Sequence, residues 1–154
     1  MISLEFDTSA ELEIHDPEEI IRLPLGVLDE TCFDLPVSLN VHGKNMFALR
    51  NGDTIGLPLL LLAVHGLRVL SKLRSGEDAV LYLTDDGKLN LRRAGRRLII
   101  STTLHTTEVE VDYEQAVEAF NIYSRNVGGF LMERFPRIAQ HPDWLSWFPE
   151  VVKY

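Results

Sequence analysis

Cysteines, export signals, long apolar runs and catalytic fingerprints are scarce or missing in this chain of 154 residues, and each gap removes a class of function. Cys32 is the only cysteine, so neither an internal disulfide framework nor a thiolate zinc cluster can form, and a reducing cytoplasm is the expected setting. Cys32 also sits among Glu30 and Asp34, whose charge would raise a thiol's pKa and blunt it as a nucleophile. The opening Met1 to Asp7 carries acids where a secretory signal carries bases. The longest apolar run, Leu57 to Leu70, is broken by His65, Gly66 and Arg68 and falls short of the roughly 20 residues that cross a bilayer, so it reads as a buried helix and no membrane association is expected. There is no nucleophile elbow, no zinc-protease helix and no dinucleotide or P-loop glycine pattern. Five histidines (His15, His42, His65, His105, His141) stand at no ligand spacing. No cofactor, no metal and no catalytic group are expected.

Bases are also missing from one end. Residues 1–30 hold nine acids (Glu5, Asp7, Glu11, Glu13, Asp16, Glu18, Glu19, Asp29, Glu30) against Arg22 alone, a net −8 that equals the charge of the whole chain. The rest balances, with a basic cluster (Lys88, Arg92, Arg93, Arg96, Arg97) followed by an acidic stretch (Glu108, Glu110, Asp112, Glu114, Glu118). Such segregation polarises the electrostatic field, which bears on partners and encounter rates. The basic cluster could grip phosphates, but it lacks interleaved aromatics, so direct nucleic-acid binding is not expected. A solvated hairpin, or one paired with the chain's own acidic strand, is the favoured reading.

Length and composition fit one domain over 1–154, with 45% apolar and 25% charged residues. Alternation predicts strands at Ile2–Phe6 and Glu11–His15, paired through Asp7–Ala10, and a hairpin of Val37–Val41 with Met46–Leu49 through His42–Asn45. The run Asp16–Pro36 reads as a loop-rich arm. A helix is predicted over Gly56–Leu73, with His65, Arg68 and Lys72 on its one polar stripe. Four strands follow as a meander: Ala79–Thr84, Lys88–Arg93, Arg97–Thr102 and Thr107–Asp112. Asp112 and Gln115 have the spacing of a capping box opening a helix to about Phe135, which Gly128-Gly129 should loosen or bend. Trp144, Trp147 and Phe148 fall on a short closing helix, as core or as a dimer anchor. The predicted class is α+β: an antiparallel sheet of meander and hairpins with one central and one or two C-terminal helices packed on it.

The acidic opening, the meander from Leu81 to Val111, and the ending Phe130-Leu131-Met132-Glu133-Arg134-Phe135-Pro136 with His141-Pro142-Asp143-Trp144 together resemble in type the immunity proteins of bacterial polymorphic-toxin and contact-dependent growth inhibition systems. That resemblance implies a basic protein partner, a cognate toxin such as a nuclease, blocked by occlusion and complementary charge. The residues expected to meet it are Glu11, Glu13, Asp16, Glu18, Glu19, Asp29 and Glu30, on a monomer or homodimer. The alternative is a small-molecule-binding or enzymatic domain with a pocket between sheet and helices, using His65, His105 or Tyr123 as polar contacts.

Overall fold

Two antiparallel four-stranded sheets form around one shared apolar cluster, because each contributes a strand face that alternates apolar inward with polar outward. A computed structural model describes residues 1–10, 22, 33–83, 87–105 and 107–148. The class is α+β, as the sequence predicts.

The first sheet is built on β2 (Asp34–Val41), whose Leu35, Val37, Leu39 and Val41 are all buried. It pairs with β1 (Ile2–Phe6) in the register Ile2 to Val41 through Phe6 to Val37. Glu11–His15, the partner expected for β1, lies outside the described residues. The other side of β2 takes β3 (Lys44–Asn45) and β4 (Gly56–Pro58). The turn between β2 and β3 is tighter than predicted, with His42 at φ 50° and Gly43 at φ 83°; two central residues at positive φ match the twist of a two-residue hairpin. Residues Gly56 to Pro58, expected as the first helical turn, are a strand instead, since pairing with Asp34–Pro36 satisfies their backbone.

A π-helical segment, Leu61–Gly66, then runs into α1 (Leu67–Ser71). His65, Arg68 and Lys72 are exposed, as their spacing predicts. Gly66 is closely packed: a Cβ there would lie 3.3 Å from Leu62 Cδ2, which would have to give by a few tenths of an ångström, and in ordinary contact with Phe120 Cε1 at 3.4 Å.

The second sheet is the predicted meander, β5 (Asp78–Tyr82), β6 (Lys88–Ala94), β7 (Arg97–Thr102) and β8 (Glu108–Asp112), in sequential order. Its inner face carries Leu81, Leu89, Leu91, Leu98, Ile100 and Val111, all buried. Asp112 then caps α2 (Tyr113–Arg134) by accepting from the Gln115 N–H at 3.0 Å. The helix runs unbroken through Gly128-Gly129. Two glycines cost about 2 kcal/mol against alanine, and burial of Phe120, Tyr123, Val127 and Leu131 outweighs that. A 3₁₀ turn (Pro136–Gln140) and α3 (Trp144–Trp147) close the chain, and Trp144, Trp147 and Phe148 are buried. These aromatics are therefore core, not a dimer anchor. Among the described residues no helix is long and apolar enough to cross a membrane.

Candidate functional site

The seven acids expected to meet a partner, Glu11, Glu13, Asp16, Glu18, Glu19, Asp29 and Glu30, lie outside the described residues, as do His15 and Cys32. Glu5 and Asp7 of the same acidic opening are described, and both are exposed. Asp7 Oδ1 accepts from Ser9 Oγ at 2.6 Å and from Ser9 N at 2.9 Å, and these bonds hold its carboxyl below the ordinary value. Its negative charge is thereby kept.

The outward face of the second sheet carries charges of both signs. Register places Asp78 beside Arg92, Val80 beside Asn90 and Tyr82 beside Lys88 on one side. On the other it places Ile99 beside Glu110 and Ser101 beside Glu108. Between them the face forms a shallow concavity of about 240 Å³. Arg97 Nη1 lies 3.3 Å from Glu110 Oε2, and the Lys88 ammonium sits over the Tyr82 ring, 5.4 Å from its centroid. The basic hairpin thus pairs partly with the chain's own acidic strand, which was the favoured reading of these cations.

Arg93, from the same cluster, points the other way. Its guanidinium stacks 3.7 Å from the Tyr113 ring centroid and donates to the carbonyls of Leu73 at 2.8 Å and Gly95 at 2.9 Å. Tyr113 in turn donates through its hydroxyl to the Leu70 carbonyl at 2.6 Å. The Leu73 carbonyl at the end of the central helical segment is thereby bonded from β6, and the Leu70 carbonyl, which also accepts from Leu73 N at 3.2 Å, is bonded from the start of α2. One of the five cations is a structural rivet. A sequence cluster cannot reveal this, because facing is decided by which strand pairs next.

The described histidines do not converge. His42 Nε2 lies 3.0 Å from the Glu110 carbonyl, which can only accept, so this nitrogen carries the hydrogen and ties the β2–β3 turn to β8. His105 Nδ1 accepts from Thr107 N at 3.2 Å; His141 is buried against Trp147, and its Nδ1 accepts from Asp143 N at 3.1 Å. Tyr123 is fully buried, with its hydroxyl 3.4 Å from the Leu59 carbonyl, and desolvation pushes its phenol far above the ordinary value. Among the described residues no three His, Cys, Asp or Glu side chains cluster as metal ligands. Asn51–Gly56 is a connecting loop, with Asn51 Oδ1 accepting from Asp53 N at 3.0 Å.

A groove of about 530 Å³ lies between β1 and α2, with Phe6 and Phe130 on its walls and Glu5, Arg125, Asn126 and Glu133 at its rim. Sequence reasoning missed it, since β1 and α2 are more than a hundred residues apart in the chain. It contains none of His65, His105 and Tyr123. No family model, curated protein or solved structure matches this chain.

Proposed function

We propose that the protein is a protein-binding inhibitor of the immunity type, which neutralises a cognate bacterial toxin through an acidic surface. The observation that carries this reading is the distribution of charge: residues 1–30 account for the entire net charge of −8, and the remainder balances. A one-signed surface accelerates encounter with a partner of the opposite sign and disfavours partners of its own. On this reading Glu11, Glu13, Asp16, Glu18, Glu19, Asp29 and Glu30 receive a basic protein, with a cationic-cleft nuclease as the natural class. Nucleic acid itself shares the surface's sign and is repelled.

The test is association kinetics with the toxin domain encoded beside this chain's gene. A variant carrying Glu11→Lys, Glu13→Lys, Glu18→Lys and Glu19→Lys should associate about tenfold or more slowly at low salt, with a flattened salt dependence. Association that is unchanged at every ionic strength refutes the assigned surface.

The β1–α2 groove favours a second reading, a small-molecule site with Glu5, Arg125 and Asn126 as its polar contacts. A metabolite that raises the thermal midpoint without any protein partner, and does so less in Asn126→Ala, would support it over the first.

A further inference from the structure

The outermost strand of the meander, β5, ends the sheet without covering it. Leu83 N donates to Gly87 O at 2.8 Å and Arg93 N donates to Glu77 O at 3.1 Å. With the β5–β6 register, these bonds make Leu83/Gly87, Leu81/Leu89, Ala79/Leu91 and Glu77/Arg93 the bonded pairs of the ladder. The N–H and C=O groups of Asp78, Val80 and Tyr82 must then point away from β6, and among the described residues none of these groups meets a partner. The side chains above them are open as well, with Val80 46% and Tyr82 67% exposed. Among the described residues strand β1 also ends a sheet, but Ile2, Leu4 and Phe6 are buried or half-buried. Edges are ordinarily blunted by lysine, proline or a bulge. Strand β5, reading Asp-Ala-Val-Leu-Tyr, has none of the two residue types.

We propose that β5 is a docking edge for a second copy of this chain, joined antiparallel about a two-fold axis at Val80 to make one continuous eight-stranded sheet. The charges are self-complementary in this register. With Val80 opposite Val80, Asp78 of each copy stands beside Tyr82 of the other, and the Lys88 ammonium already leans over that Tyr82 ring. Directly opposed side chains in an antiparallel pair have Cβ atoms about 5 Å apart. The other copy's Lys88 lies one strand further, about 10 Å from Asp78 between Cβ atoms, a span that the long lysine stem leaning over Tyr82 bridges, twice by symmetry. Among the described residues of the single chain neither group is held in an ion pair. A shift of register by two residues would bring Val80 opposite Asp78 and lose one of the three outward pairings, so the Val80-centred alignment uses the edge fully. This inference does not depend on the toxin-binding reading.

Sedimentation equilibrium of the full chain from micromolar to hundreds of micromolar tests it, with circular dichroism confirming that each variant folds. The wild type should dimerise, and the Asp78, Val80 and Tyr82 amides should exchange more slowly as concentration rises. Val80→Lys, which opposes two like charges on the axis, should leave a monomer. Asp78→Lys or Lys88→Asp alone should raise the dissociation constant about tenfold, and the double exchange should recover most of it. A wild type that stays monomeric throughout, a dimer indifferent to Val80→Lys, or a double exchange without recovery would each overturn the proposal.

Discussion

Strands β8 and β5 end the same ladder, and each carries three residues whose backbone groups point outward. On β8 they are Glu108, Glu110 and Asp112, since the bond from Tyr113 N to Arg96 O makes Val111/Leu98 and Val109/Ile100 the bonded pairs. Every outward side chain there is an acid, the Glu110 carbonyl is taken by His42, and Asp112 opens the long helix. On β5 the same positions are Asp78, Val80 and Tyr82, two of them apolar or aromatic and exposed. One edge is tied into the fold and charged against strand addition; the other retains exposed β-forming side chains. The difference teaches that residues of like type on the two strands should carry unlike energies.

The largest contrast is between two tyrosines. Tyr113 follows β8, is 7% exposed, lies under Arg93 and donates to the Leu70 carbonyl, whereas Tyr82 on β5 stands in solvent. Tyr113→Ala should cost about 3–5 kcal/mol in urea unfolding, and Tyr113→Phe about 0.5–1.5 kcal/mol for the one hydrogen bond lost. Tyr82→Ala, measured at low micromolar concentration, should stay within about 1 kcal/mol. Equal costs would erase the distinction between the two edges.

Two aspartates sharpen the comparison at a smaller scale. Asp112 accepts from Gln115 N in the first turn of α2, so Asp112→Ala should lose about 1 kcal/mol, with Asn retaining most of it. Asp78 makes no such bond, and Asp78→Ala should be neutral within about 0.5 kcal/mol in the monomer. A fall at Asp78 as large as that at Asp112 would mean that β5 is anchored as β8 is.

This cap was legible before any coordinates, because a helix start is a local pattern that Asp112 and Gln115 carry within four residues. So was the meander: its turns are short, and Leu89 and Leu91 alternate with polar neighbours. Pairings across long stretches of chain were not legible. That Ile2–Phe6 joins β2 is decided by a shared core, and Gly56-Leu57-Pro58 becomes strand because β2 offers a partner. The helix continues through Gly128-Gly129 for a related reason, as tertiary burial of one helix face overrides intrinsic propensity. Part of the charge argument transferred: Arg97 does meet Glu110. The free edge at Val80 was invisible, since sequence records which residues alternate and leaves open which strand lies outermost.

The smallest expected effect is the Arg97–Glu110 pair itself. Its side chains are 67% and 49% exposed, so water screens the attraction, and holding two long side chains in register costs entropy. A double-mutant cycle with Arg97→Gln and Glu110→Gln should return a coupling of about 0.2–1 kcal/mol at low ionic strength, fading as salt shortens the Debye length. What the pair provides on β8 is sign more than stability. Glu110→Gln leaves the His42 bond to the backbone carbonyl intact while removing an outward charge, so the β8 edge should become less resistant to strand addition without losing its anchor. A coupling well above 1 kcal/mol, or one indifferent to salt, would mean that this pair is shielded from water and that the β8 face is covered in solution.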